Sequence, residues 1–371
     1  MCSPEIQASL PLLSERGQAA AAHYDFLGDY MVRRSFAKFI NKYFKPRALI
    51  EGEDLVVMTG TCSVLDAVAH CICQPGDYML VPAPYYSRVY NDVNERSLVT
   101  TYHIELTSQN ESPDGLPFHL TVDAVKETHE KAMAEGKLVR GLILLNPSNP
   151  LGRWMSNKQL LPILEYAKEH ELYVLMDEIY GQTVFSGPEF ESCLRLELPD
   201  PTRTIWTWGM SKDFGLAGLR ASVCWTPNAA LRRAFQVIAL YNCLPYIAQS
   251  LAKNLLDDEA WVDQYMKTNR RRLNEARDLA ASELKKLNVP FLPSNAGLFV
   301  FINLQKYCAL AGSEQALFDL FFQAKVYFVP GHRLYCAEPG WFRLIFAVSL
   351  DSLREGFVRI KSVLNTLDEK S

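Results

Sequence analysis

Short apolar runs set between helical stretches constrain the fold of this chain more than any other feature. Residues 55–59 (LVVMT), 78–82 (YMLVP), 138–145 (LVRGLILL), 172–176 (LYVLM), 204–208 (TIWTW) and 221–225 (ASVCW) read as strands. Runs this short and this continuously apolar are buried on both faces. Helices fall between them. Residues 63–73 end at the turn Pro75-Gly76-Asp77, and 121–135 carry Thr121 as N-cap and Gly136 as stop. Ser156 with Gln159 forms a capping box that opens a helix to about His170. Strand and helix in alternation predict a parallel sheet covered on both sides, with ligands beyond the carboxyl ends of the strands. The loops after strands should therefore hold the chemistry. Asn149, Asp177 and Lys212 lie in or at the start of such loops.

The character changes near residue 245. A charged helical stretch runs to about Lys286, with Arg270, Arg271 and Arg272 read as a solvated helix face. Strands with fewer helices follow, which predicts a smaller α+β domain. The expected organisation is an N-terminal arm and linker helix over 1–44, a large domain over 45–245 and a small C-terminal domain over 246–371. Charge excludes one class of function: 38 Lys+Arg against 42 Asp+Glu give a net charge of -4. A phosphate-neutralising groove needs a basic excess, so no nucleic-acid partner is expected. The nine cysteines are odd in number and spread along the chain, which predicts reduced thiols. Cys71 and Cys73 form a C-x-C without a second pair at zinc spacing, and no metal site is expected. The start lacks a basic segment followed by an apolar one, and no apolar run approaches the ~20 residues that span a bilayer. A soluble cytoplasmic protein, with no membrane partner, is the expectation.

Several catalytic signatures are missing. The glycines around Lys212 do not form a P-loop, no G-x-G-x-x-G follows the first strand, His129-Glu130 lacks a second histidine, and no G-x-S-x-G occurs. What remains is one ordered constellation: Asn146-Pro-Ser-Asn149-Pro-Leu-Gly152, Asp177-Glu-Ile-Tyr180, and Ser211-Lys212-Asp-Phe-Gly-Leu-Ala-Gly-Leu-Arg220. Each piece alone has a bland reading as a turn, a helix cap or a surface pair. Together, and each placed after a strand, they resemble the fold-type I pyridoxal-phosphate (PLP) enzymes of the aminotransferase class I/II group. With PAPYY (82–86) and PGWFR (339–343), the resemblance is to the 1-aminocyclopropane-1-carboxylate (ACC) synthase-like branch. It covers the chain from about residue 24.

The resemblance implies a large domain with a mostly parallel seven-stranded sheet, a smaller C-terminal domain, pyridoxal 5'-phosphate as cofactor, an amino-acid substrate and a homodimer with shared active sites. Lys212 matches the lysine that holds the cofactor aldehyde as a Schiff base and then carries a proton. Asp177 matches the carboxylate that keeps the pyridine nitrogen protonated, and Asn149 and Tyr180 match donors to the ring oxygen. Tyr86 matches the ring-stacking aromatic. For the phosphate, Thr61 and Cys62 open a helix whose free N–H groups favour an anion, and Arg220 matches the pairing arginine. Arg343, with Asn149 beside it, matches the grip on the substrate carboxylate, for which a planar guanidinium fork is suited.

Three departures qualify this picture. Relatives usually carry a serine three residues before the lysine, where this chain has Gly209; Ser211 is the candidate to compensate. The branch's tyrosine two residues before Gly28 is replaced by Phe26, which cannot hydrogen-bond. The N-terminal Gly-Leu-Ala-Glu-Asn segment of ACC synthases has no counterpart over 3–23. The last two favour transamination or related lyase chemistry over cleavage of S-adenosylmethionine to ACC. A non-catalytic descendant that keeps the binding fold is the alternative of another class.

Overall fold

Among the described residues, ten strands in two sheets account for the apolar runs. The computed structural model describes residues 28–112 and 115–369. The larger sheet holds β1 (Leu55–Thr59), β2 (Tyr78–Ala83), β3 (Thr100–Glu105), β4 (Val139–Leu145), β5 (Tyr173–Asp177), β6 (Thr204–Gly209) and β7 (Ala221–Trp225) in the order β1-β7-β6-β5-β4-β2-β3. Strands β3, β2, β4, β5 and β6 run parallel, while β7 is antiparallel to both β6 and β1. The sheet is thus mostly parallel and seven-stranded. Its central strands are buried along their length, which is why they read as unbroken apolar runs.

Two apolar layers close the sheet. One face packs on α1 (Tyr30–Tyr43), whose Phe39 ring stacks on Trp208 of β6 at 4.6 Å between centroids. Phe44 meets Trp206 edge-on at 5.2 Å. Such aromatic pairs add to the area they remove from water. The opposite face packs on α2 (Thr61–Ile72), through Val64, Leu65 and Val68 against Met58, Ile143 and Cys224. Helix α3 (Arg88–Asn94) follows β2; α4 (Val122–Ala134) and α5 (Asn157–Glu169) flank β4 in the chain. Thr121 Oγ1 caps α4 by accepting from Ala124 N, and Ser156 and Gln159 form the capping box of α5.

After the brief helix α6 (Met210–Asp213), which carries Lys212, come α7 (Ala229–Ala239), α8 (Tyr246–Asp257) and the long α9 (Glu259–Lys286). The smaller sheet is antiparallel, in the order β8 (Phe299–Asn303), β10 (Trp341–Ile345), β9 (Val329–Pro330). It packs with α10 (Gln305–Ala311), α11 (Glu314–Gln323), α9 and the final α12 (Leu350–Asp368) around a third apolar cluster. The arginine triplet of α9 departs from the expected solvated face at one position. Arg271 and Arg272 are exposed, but Arg270 is half-buried and donates from Nε to Gln182 O at 3.1 Å and from Nη2 to Gln182 Oε1. All described cysteines are free thiols. Among the described residues, no helix is long and apolar enough to cross a membrane.

Candidate active site

The carboxyl ends of β4, β5 and β6 lie side by side, because Leu145 is in register with Asp177 and Asp177 with Thr207. This alignment gathers the loops that the sequence singled out. Asp177 ends β5 as a 5 % exposed carboxylate whose Oδ1 accepts one hydrogen bond, from Ile179 N at 3.1 Å. Burial pushes its pKa up to about 7, and neighbouring Glu178 adds to this; the Ile179 N–H and the charge of Lys212 offset part of the rise. A buried carboxyl with a single neutral donor and no ion pair among the described residues is a position that a cation would relieve.

Glu178 shows what a satisfied carboxylate looks like one residue on. It is fully buried and accepts from Ser192 Oγ at 2.6 Å, Trp206 Nε1 at 2.8 Å and Cys193 N at 2.8 Å. Successive side chains leave the chain on opposite sides, so Glu178 fastens the loop to the scaffold while Asp177 points the other way. The sequence reading missed this anchoring role; the adjacency of two acidic residues at a buried strand end was the available signal.

Lys212 is half-buried in α6, just past the end of β6, and makes no hydrogen bond or ion pair among the described residues. Burial lowers its pKa, and the positive charges of Arg343 and Arg220 lower it further, against Cys62 and Asp177. A lowered lysine pKa raises the fraction of neutral, nucleophilic amine. The segment is held by Asp213, whose Oδ2 accepts from Trp208 Nε1 at 2.7 Å and Gln182 N at 3.0 Å. Gln182 is in turn bound by Arg270. A chain of contacts therefore runs from α9 to the residue after Lys212, which sequence spacing could not disclose.

Arg343 reaches the same place from β10 of the smaller sheet. Its Nη1 donates to Asn149 Oδ1 at 2.8 Å, and Asn149 Nδ2 donates to Tyr180 Oη at 3.3 Å. Asn149 thus bridges the two sheets. Among the described residues, Arg343 Nε is buried without a partner, and no ion pair neutralises the guanidinium. Burial lowers its pKa. Tyr180 is 4 % exposed and its pKa is raised, by burial first, so it stays a neutral O–H donor.

The opposite wall is the start of α2. Gly60 has φ +84° and offers no side chain to cap the helix, so the first N–H groups at Thr61 and Cys62 face outward uncapped. A side-chain carbon at Gly60 would lie 2.1 Å from Arg220 Nη2. Arg220 itself makes only long contacts, to Ala217 O at 3.3 Å and Thr59 O at 3.4 Å, and is exposed. The Cys62 thiol, raised to about 11 by burial, hydrogen-bonds the Asp92 carboxylate, which Arg88 Nε also holds at 2.7 Å. Tyr86 is 38 % exposed and near Cys62 and Arg343, whereas Tyr85 is buried and stacked on Tyr335. Tyr86 is therefore an open aromatic face and not a core residue. Ser211 is buried beside Lys212 with no side-chain hydrogen bond among the described residues. Phe26 and the N-terminal segment lie outside the described residues.

These features fit pyridoxal phosphate. An unpaired buried carboxylate suits a pyridinium, an uncapped helix start with a loosely held arginine suits a phosphate, and an unpaired guanidinium suits an α-carboxylate. A separate cavity of about 220 Å³ lies behind the Asn149 loop, lined by Tyr85, Phe118, Asn149, Arg153 and Trp154, and does not include Lys212 or Asp177. The charged groups converge elsewhere, and it is their chemistry that marks the site.

Comparison with known proteins gives the same class. The family model for aminotransferase class I and II matches residues 7–360. The chain belongs to the aminotransferase class I and II family. Within it, the chain is 37% identical over 345 residues to 1-aminocyclopropane-1-carboxylate synthase-like protein 1 of Takifugu rubripes, covering 92% of this chain and 56% of that protein. The Bos taurus counterpart is 37% identical, with 92% and 69% covered. A Homo sapiens relative, named probable inactive 1-aminocyclopropane-1-carboxylate synthase-like protein 2, is 38% identical over 351 residues, with 93% and 62% covered. The chain spans between about half and two thirds of the length of these relatives. The fold matches the aromatic aminotransferase of Pyrococcus horikoshii, at TM-score 0.85 and 21% identity over 100% of this chain and 94% of that one. It also matches Thermus thermophilus aspartate aminotransferase with maleate, at TM-score 0.83 and 20% identity over 98% and 88%. Fold-type I architecture is thus shown.

Proposed function

We propose that this chain holds pyridoxal phosphate on Lys212 and acts at the α-carbon of an amino acid, as an aminotransferase or a related lyase. One observation carries the reading: three groups in one cleft each lack the partner they call for. Among the described residues, Asp177 lacks a paired cation, Arg343 lacks a carboxylate, and Lys212 has a lowered pKa and no hydrogen bond. An amino acid beside this cofactor supplies all three.

When bound, the cofactor supplies an electron sink for the pair left at the α-carbon. The chain's own residues do the rest. Thr61 and Cys62 N–H groups and Arg220 hold the phosphate. Asp177 keeps a proton on the ring nitrogen, Tyr180 donates to the ring oxygen, and Tyr86 covers the ring. Arg343 would grip the α-carboxylate with the edge that Asn149 leaves free, with Lys212 nearby as the base for the α-hydrogen. Lys212 takes that proton onto Nζ. Where it goes next separates an aminotransferase from a lyase. The exposed rim at Gly215, Ala217, Gly218 and Arg220 beside the site suits cover by a second copy of the chain, and the free thiols suit a reducing compartment. Our reading is of a cytoplasmic homodimer.

A second reading has one observation in its favour: a relative at 38% identity is named probable inactive. One experiment addresses both. The purified protein is mixed with PLP, reduced with borohydride and digested, then the unreduced protein is challenged with a panel of amino acids and S-adenosylmethionine. The expected result is PLP fixed on the Lys212 peptide, absent in Lys212→Ala, with a spectral change driven by particular amino acids. Fixation without any turnover supports the non-catalytic reading. A response to S-adenosylmethionine alone supports ACC synthesis. No fixation on Lys212 refutes cofactor binding as proposed.

A further inference from the structure

Ser222 in β7 carries a buried hydroxyl with no assigned work. It is 0 % exposed, and its Oγ has no hydrogen-bond partner among the described residues. A buried hydroxyl left unpaired costs stability, so its environment calls for explanation. Its position is informative. Ser222 stands in register between Met58 of β1 and Gly209 of β6. It shares its face of the sheet with Cys224, two residues on, which packs against the α2 side. The preceding residue but one is Arg220, and Met58 lies two residues before Gly60, so Ser222 sits directly behind the uncapped start of α2. Helix start and orphan hydroxyl are independent observations that point at the same spot.

The contact with Gly209 sharpens this. A side-chain carbon built at Gly209 would lie 2.1 Å from Ser222 Oγ and 3.0 Å from Ser222 Cβ. The Ser222 hydroxyl therefore fills the space that a side chain at 209 would take. The two positions form a small-and-polar pair across an antiparallel register, with the polar group on β7 and the gap on β6. A side chain at either position, with glycine at the other, would occupy the same small space.

We propose that Ser222 donates its hydroxyl to the phosphate of the bound cofactor, supplying from β7 the contact that Gly209 cannot supply from β6. The inference rests on the PLP reading above and assigns Ser222, not Ser211, the compensating role. A charge-assisted hydrogen bond of this kind accounts for about tenfold or more in affinity.

The test measures equilibrium binding of PLP and of pyridoxal, which lacks the phosphate, to protein freed of cofactor, alongside the rise in melting temperature that PLP produces. Ser222→Ala should weaken PLP about tenfold or more, reduce that rise, and leave pyridoxal affinity unchanged. The exchange variant Gly209→Ser/Ser222→Gly should bind PLP within about threefold of the parent, and Ser222→Gly alone should not. Unchanged PLP affinity in Ser222→Ala overturns the assignment while leaving cofactor binding on Lys212 intact. Equal loss for PLP and pyridoxal also overturns it, since the effect would not act through phosphate. If Ser222→Ala does not fold, equal PLP affinity in the exchange variant and in Ser222→Gly overturns it. A parent protein that takes no PLP on Lys212 removes the functional reading and this one with it.

Discussion

Replacing Asp177 with Asn should separate stability from function. The side chain keeps its shape, and its Oδ1 can still accept from Ile179 N, but the ionisable group is gone. In the folded protein without cofactor the Asp177 pKa stands at about 7, against 3.8 for the ordinary group. A raised carboxyl pKa means that the folded state binds more protons than the unfolded state between these values. Its favourable contribution is therefore complete below about pH 4 and lost as the pH rises through about 7. The Asn variant carries no such loss. Integrated from pH 5 to pH 8, its stability gain over the parent should widen by about 3 kcal/mol and then level off. Urea unfolding of both cofactor-free proteins at these two pH values measures the difference. With PLP present the order should reverse, because the parent gains a pyridinium partner and the variant does not. Unfolding curves whose separation is the same at pH 5 and pH 8 would refute an uncompensated buried carboxyl at this position.

Two further outcomes test neighbouring parts of the argument. Arg343→Ala should raise KM for the amino-acid substrate by about 2–3 kcal/mol, the scale of a charged hydrogen-bonded pair, with PLP binding retained; steady-state kinetics with an unchanged KM would remove Arg343 from the substrate grip. Glu178→Gln turns one acceptor of three converging donors into a donor and should cost about 2 kcal/mol in stability, read by urea unfolding, with a smaller effect on the PLP spectrum than Lys212→Ala.

Much of the scaffold was legible because buried parallel strands leave an unmistakable trace. The runs at 138–145, 172–176 and 204–208 became β4, β5 and β6 within a residue or so, and the Ser156 box opened α5 as read. Strand β3 escaped notice because it is an edge strand: in TTYHIE only Thr101 and Ile104 are buried, so it lacks a continuous apolar run. The reversal of β7 was equally hidden, since a buried strand reads the same in either direction. At the site, Asn149, Asp177, Tyr180, Lys212 and Arg343 were singled out by residue type and place in motifs. Arg270, Glu178 and Ser222 were not. Glu178 and Arg270 depend on partners 14 to 88 residues away, Ser192 and Gln182 among them, and Ser222 on its register with Met58 and Gly209; no local pattern encodes these.

The contrast between Asp177 and Glu178 bears on how such a chain can age. Glu178 is held by three donors, so losing it harms the fold, and selection for folding alone would protect it. Asp177 is the reverse: an amide of the same shape would fold better, so folding alone would let it drift to Asn. A lineage released from its chemistry would gain stability by that exchange. The carboxyl that still stands at position 177 therefore speaks more directly for the proposed cofactor use than the intact acidic pair as a whole.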